Sequence, residues 1–299
     1  MRARRENGDS RAGAQPPGGA VPLPGPALGL GITDAQYSKL AALVYRISGI
    51  NLGEHKKELL KARLAKRLRA TSVSDVAAYM GLLENDGSEL TAFLEVITTN
   101  KTDFFREPQH FDFMSQVLLP EQAKHFPADG PLRIWSAACS TGEEPYTLAM
   151  ILKDNRQHWE RRGAGILASD INFQVINHAK NAVYATERVD RIPKEILRRH
   201  FQKGTKRWDG FVRIRQDLRE MVSFQKINLM DQFHFDRSFH MIFCRNVMIY
   251  FDKATQERLV AKFVDTLAPG GYLFVGHSES LTGIQHDLKF VRPAIYRKG

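Results

Sequence analysis

Apolar positions fall into two textures along the chain. From Thr33 to about residue 115 they recur three and four apart, the spacing of one helical face. Thr33-Asp34-Ala35-Gln36 has the form of a capping box. Leu40, Leu43, Val44 and Ile47 follow at helical spacing, and Gly49 supplies a stop. The stretch "EHKKELLKARLAKRLRA" over 54–70 predicts a second helix, with Leu60, Leu64 and Leu68 in one i, i+4 row supported by Leu59. Two more helical stretches fall near 74–84 and 88–98. Residues 31–115 are therefore expected to form a small all-α domain. Residues 1–30, rich in Pro, Gly, Ala and Arg without a period, are expected to be a disordered tail.

From Leu132 the apolar residues come in short runs instead. "LRIWSAA" (132–138), "GILASDIN" (165–172), "VSFQKINL" (222–229), "HMIFCRNV" (240–247) and "GGYLFVGH" (270–277) read as strands. Helical patterns at 144–155, 173–182 and 253–268 lie between several of them. Alternating β and α at this length predicts a doubly wound, mostly parallel α/β sheet over 116–299, and the tail "LKFVRPAIYRKG" adds one or two edge strands. After the turn "KRWDG", "GFVRIRQDLREMVSFQ" reads as consecutive short strands, so a small antiparallel β insert is expected at about 200–225.

Composition narrows the picture. Apolar residues make up 43% of 299, ordinary for a packed core. No apolar run reaches the roughly 18–20 residues of a membrane span. No apolar stretch follows the early arginines, so no secretory leader and no membrane insertion are expected. The two cysteines, Cys139 and Cys244, lie in or beside predicted strands and suit a reduced, cytoplasmic protein. They are too few for a thiolate zinc site, and no metal is expected. The net charge of +10 points to an anionic partner.

The chemistry should gather at the carboxyl ends of the strands. "SAACSTGEEPYT" (136–147) turns the first strand into a helix, where a dinucleotide enzyme would carry G-x-G-x-x-G around a pyrophosphate. Here there is one glycine, Gly142, and two acids, Glu143 and Glu144. They would oppose a phosphate and welcome a cationic ligand, although either acid could simply cap the helix dipole. Asp170 ends the second strand, where an acid commonly holds ribose hydroxyls. An adenosine joined to an ammonium and a sulfonium, with no phosphate, fits this charge layout. S-adenosylmethionine is such a molecule.

"TTNKTDFFRE" (98–107), "WSAACSTGEEPYT" (135–147), "ASDI" (168–171), "IFCRNVMIYFDK" (242–253) and "GHSES" (276–280) closely resemble, in order and spacing, the motifs of the CheR family. These are chemotaxis-receptor methyltransferases that move a methyl group from S-adenosylmethionine to receptor glutamates, leaving S-adenosylhomocysteine. The resemblance implies that Asn100, Thr102 and Arg106 contact cofactor or substrate; Phe104 and Phe105, by their residue type, are expected to be core. It implies that Asp170 holds ribose and that Asn228, Leu229, Arg245 and Asn246 line the adenine and methionine ends. Glu144 is the better match to the family's cofactor carboxylate, with Glu143 second. Arg106 and Tyr250 are the candidates for holding the acceptor carboxylate. His277 reads as structural.

The resemblance also gives the basic helix a partner. Lys56, Lys57, Lys61, Arg63, Lys66, Arg67 and Arg69, against a lone Glu58, suit docking onto the glutamate-rich cytoplasmic helices of a chemoreceptor. In some family members the β insert captures a receptor C-terminal peptide as an added strand, and recruitment to membrane receptor arrays follows from either contact. A monomer is expected. Two other functions compete: a nucleic-acid or other protein methyltransferase, the former favoured by the charge, and a non-catalytic S-adenosylmethionine-binding receptor adapter. Against the first, the Asn/Asp-Pro-Pro-aromatic motif of many amino-methylating enzymes is missing, so no nucleic-acid partner is expected. Against the second, Arg106, Asp170, Asn246 and Tyr250 are all in place.

Overall fold

The computed structural model describes residues 31–121 and 130–299, so the expected tail at 1–30 lies outside the described residues. Helix α1 (Asp34–Ser48) starts on the full capping box, with Thr33 and Gln36 exchanging side chain-to-backbone bonds, and stops at Gly49, whose φ of 72° closes the last turn. A single 3₁₀ turn (Glu54–Lys56) leads into α2 (Lys57–Thr71), and α3 (Val76–Asn85) and α4 (Gly87–Ile97) follow. Their apolar stripes meet in one core of Leu40, Val44, Leu60, Leu64, Tyr79 and Phe93. Leu59, expected to support that row, is instead exposed.

Thr98 to Arg106 forms a non-helical bridge, turning at Phe104 and Phe105, to α5 (Gln109–Phe113), which continues through a π-helical turn at Met114–Leu118. Then come β1 (Leu132–Ala137), α6 (Glu143–Asp154), β2 (Ala164–Asp170), α7 (Phe173–Asn181) and β3 (Val183–Ala185). After α8 (Lys194–His200), β4 (Phe201–Lys203), β5 (Phe211–Ile214) and the short α9 (Gln216–Arg219), the chain forms β6 (Val222–Lys226) and β7 (Phe239–Cys244). Helix α10 (Lys253–Thr266), β8 (Leu267–Val275), β9 (Leu288–Arg292) and β10 (Ile295–Lys298) complete it.

The main sheet has the order β6-β2-β1-β7-β8-β10-β9. Its first five strands are parallel, with Ser136 level with Ala168 on one side and Phe243 on the other. β10 inserts antiparallel between β8 and β9. Apolar runs on the central strands bury both faces, one core holding Ile134, Tyr146, Met241 and Phe274 and the other Trp135, Ile242, Phe263 and Leu273.

The antiparallel insert covers a different stretch from the expected 200–225. Its order is β3-β5-β4, so it begins at Val183 and ends at Ile214. Within the expected range, 216–219 is helical and 222–226 pairs in parallel with β2. Three residues between the end of α7 and a 3₁₀ turn are too few to show a period of two, so β3 carried no visible signal.

Two of the expected docking cations belong to the helical core. Arg67 grips Glu89, 93% buried, with Nε at 2.9 Å and Nη2 at 2.5 Å, and Tyr79 donates its hydroxyl to the same carboxylate. Arg63 donates to the carbonyls of Ile97 and Thr98 and to the Thr99 hydroxyl. Burial pushes the Glu89 pKa up, but the bonds from Arg67 and Tyr79 outweigh it and hold the carboxyl below its ordinary value. Arg67→Ala is therefore expected to cost about 3–5 kcal/mol of stability by stranding a buried charge, whereas Lys66→Ala costs under about 0.5 kcal/mol. The stability Glu89 supplies is present above the ordinary carboxylate pKa and is lost as pH falls through the lower folded value. Chemical denaturation of the three proteins across pH 3–7 reads both effects.

Candidate active site

A cleft opens where the carboxyl ends of β1, β2 and β7 meet the helical domain and the 98–106 bridge. It sits at the point where the strand order reverses, between β1 and β7. Asn100, Thr102, Arg106, Glu144, Asp170, Asn228, Leu229, Arg245, Asn246 and Tyr250 all line it, with Ser48 and Ile50 supplied by the helical domain.

The corner after β1 is built by conformation. Gly142 has φ 98°, and a Cβ there would sit 2.7 Å from the Ala179 methyl and 2.9 Å from the Tyr184 hydroxyl. Ala138 and Ser140, at φ 68° and 49°, turn the chain sharply between strand and helix. Of the nine non-glycine residues with positive φ among the described residues, five (Phe105, Glu107, Ala138, Ser140 and Asn246) border or support this cleft. Strained backbone of this kind persists only where its surroundings enforce it.

The two glutamates of the corner diverge. Glu144 faces the cleft, takes a bond from the Ser136 hydroxyl at 2.7 Å and pairs with Arg245 Nη1 at 2.8 Å. Burial raises its pKa, while Arg245 and Ser136 pull the other way. Glu143 does not line the cleft. It is buried behind the turn, where Thr141 Oγ1 and Arg188 Nη2 donate to it at 2.6 Å each. Arg188 also donates to the Thr102 carbonyl, so Glu143 works through Arg188 to secure the bridge.

Asp170 is 6% exposed and accepts from the Ser140 and Asn172 amides at 2.9 Å each. Burial raises its pKa against these amides. Each carboxylate oxygen keeps acceptor capacity for a ligand hydroxyl. The Asn228 side chain donates to the Ile47 carbonyl at 2.7 Å and accepts from the Met230 amide at 3.1 Å, while the Leu229 carbonyl takes Lys262 Nζ. Asn100 points its amide at Thr98 Oγ1, and its carbonyl accepts from the Ser140 hydroxyl.

Arg245 is the hub. Beyond Glu144 it reaches Glu107 at 3.1 Å and the Arg106 carbonyl. Arg106 itself spends one donor on the Lys101 carbonyl and makes no ion pair among the described residues. Tyr250 forms no side-chain hydrogen bond among them, and Lys56 Nζ lies 5.2 Å from its ring centroid. The expected core residues Phe104 and Phe105 pack as such, Phe104 at 4.9 Å from Tyr184.

Sequence reasoning assigned no role to Glu107, Ser140, Arg188 or Glu279, although three of them stand inside the quoted motifs. Their importance comes from tertiary contacts that spacing does not show. Glu107, His110 and His277 bring ligand-type atoms within 4.8 Å of one another. The Arg245 guanidinium already lies against Glu107, so a divalent cation there would meet a like charge.

A cleft at the switch point of the sheet, lined by Glu144 and Asp170, suits the cofactor of an S-adenosylmethionine-dependent methyltransferase, and the comparisons with known proteins show that class. The model for the CheR methyltransferase all-alpha domain matches residues 35–98, and that for its SAM binding domain matches 100–296. The chain is 39% identical over 277 residues to the chemotaxis protein methyltransferase of Borreliella burgdorferi, covering 91% of this chain and 96% of that one. It is 41% identical to that of Klebsiella aerogenes (89% and 90% covered) and 38% to that of Escherichia coli (89% and 92%). The chain belongs to the CheR methyltransferase family, and its cofactor is S-adenosylmethionine.

The cleft residues fit that cofactor: its carboxylates suit an adenosine with a cationic tail, and no phosphate cradle is present. Asp170→Ala is expected to weaken S-adenosylhomocysteine binding at least about tenfold, roughly 1.4 kcal/mol. Titration calorimetry checks this, and unchanged affinity would show that Asp170 only shapes the loop.

Proposed function

We propose that the cleft transfers a methyl group from S-adenosylmethionine to glutamate side chains on the cytoplasmic helices of a chemoreceptor, forming glutamyl methyl esters. The observation that carries this reading is a cation without an ion pair and a phenol without a side-chain hydrogen bond among the described residues, Arg106 and Tyr250, both lining the cofactor cleft.

A glutamate acceptor has a reference pKa of about 4.3, so at neutral pH it is already an ionised nucleophile and needs no general base. Bound S-adenosylmethionine supplies a methyl group on a sulfonium that leaves as a neutral thioether. The chain has to orient the carboxylate and exclude water. Arg106 and Tyr250 hold the acceptor oxygens. Glu144 and Arg245 receive the amino-acid end of the cofactor, Asp170 the ribose, and Asn228, Leu229 and Asn246 the remaining edge. Asn100 and Thr102 close the cleft from the bridge, and Glu143 is a support held by Arg188.

The surface of α2 is the docking face. Arg63 and Arg67 are committed to the helical core, which leaves Lys56, Lys57, Lys61, Lys66 and Arg69. Among the described residues Lys57 and Lys61 pair only with exposed Asp34 and Glu58, bonds weak enough to exchange. Lys56, beside Tyr250, joins this face to the reaction centre. The outer edge of β4 could take a receptor C-terminal peptide as an added strand. No helix among the described residues is long and apolar enough to cross a membrane, so contact with receptor arrays would run through these two surfaces.

The test is transfer of labelled methyl from S-adenosylmethionine to a receptor cytoplasmic fragment, followed by base. The ester reading requires release as volatile methanol; alkali-stable label, or label on nucleic acid, overturns it. Arg106→Ala is expected to lower kcat/KM at least about 100-fold, roughly 2.7 kcal/mol of transition-state stabilisation. Lys66→Ala with Arg69→Ala should raise the KM for the receptor and flatten its salt dependence, because the Debye length is only about 8 Å at physiological ionic strength.

A further inference from the structure

Building on that functional reading, we propose that Glu107 and Glu279 are two positioning residues that hold the Arg245–Tyr250 segment through different groups. Glu107 sets its cofactor end and Glu279 its acceptor end.

The two carboxylates bind different parts of the same segment. Glu107 takes side chains: Arg245 Nη2 and Asn246 Nδ2, each at 3.1 Å, with the His277 amide added at 3.2 Å. It thereby aims the guanidinium that grips Glu144 on the cleft wall. Glu279 takes main chain: the amides of Asn246 at 2.8 Å, Ile249 at 3.2 Å and Gly276 at 2.5 Å. The Ile249 amide lies inside the 3₁₀ turn Met248–Tyr250, so Glu279 fixes the turn from which the Tyr250 ring projects.

The surroundings serve this double clamp. Gly276 leaves no room for a side chain: a Cβ there would lie 2.5 Å from Asn246 Nδ2 and 2.8 Å from Glu279 Oε2. Glu107 and Asn246 both hold left-handed backbone, at φ 57° and 59°, and their side chains are hydrogen-bonded to each other. Glu279 is 7% exposed and makes no ion pair among the described residues, so only oriented amides meet its carboxylate. That pattern secures backbone shape. The chain Glu144–Arg245–Glu107 instead secures a charged side chain. The side chains of Arg245 and Asn246 therefore depend on Glu107, and the main chain from Asn246 to the 3₁₀ turn on Glu279.

The division predicts opposite kinetic signatures. Glu107→Gln should raise the Kd for S-adenosylhomocysteine and the KM for S-adenosylmethionine at least about tenfold, with kcat at saturation changed less than about threefold. Glu279→Gln should lower kcat for base-labile ester formation at least about tenfold while S-adenosylhomocysteine affinity stays within about threefold. Affinity by calorimetry also reports a folded cleft. If Glu279→Gln does not fold, Glu279→Asp, which keeps the charge and shortens the reach, is expected to show the same loss of kcat with affinity retained. An active wild type combined with equal losses of affinity and kcat in both variants, or with wild-type kinetics in either, overturns the inference. A wild type that forms no ester overturns the functional reading and the Glu279 half with it; the Glu107 half is still decided by product affinity.

Discussion

Arg245 is a cation buried at the end of β7, and the active cleft depends on how its charge is met. An isolated charge at that depth would be costly, and the fold answers with two carboxylates and a carbonyl brought from two distant parts of the chain. Glu144 comes from the corner after β1 and Glu107 from the end of the bridge. The ion pairs lock the bridge against the sheet, and the bridge in turn fixes the helical domain over the cleft. Neither carboxylate could be lost without leaving the guanidinium short of a partner.

Burial sorts the remaining ionic groups by task. Cations that support the architecture are spent on buried acceptors, as Arg67 is on Glu89 and Arg188 on Glu143. Cations proposed to meet a partner carry no ion pair, as with Arg106, or only an exposed one, as with Lys61. A count of basic residues along α2 cannot make that distinction. Sequence periodicity put Arg63 and Arg67 with the solvent-facing set, while their guanidinium groups reach α4 and the start of the bridge.

Much of the fold was legible because its signals are local. The capping box at Thr33, the apolar runs of the five parallel strands and the helices between them needed only spacing and side-chain type. The cleft was legible where chemistry sits at strand ends, as with Asp170 and Glu144. What stayed hidden was relational. β3 is too short to show a period, Glu143 and Glu144 are adjacent and chemically alike, and Glu107 and Glu279 gain their roles only from donors more than thirty residues away in at least one bond.

Several of the hydrogen bonds that seat the N-terminal part on the catalytic part end on main-chain oxygens. Asn228 reaches the carbonyl of Ile47, Asn172 that of Glu95, Ser140 that of Asn100, Arg188 that of Thr102 and Arg245 that of Arg106. A carbonyl is present whatever side chain its residue bears. The side-chain hydrogen bonds across the same seam come from Tyr45, Glu95, Thr98 and Glu107, and among the described residues none comes from α2, so the outer face of α2 is uncoupled from the placement of its domain. Selection can rewrite α2 for a new receptor, one surface residue at a time, while the geometry of methyl transfer beneath it stays as it was.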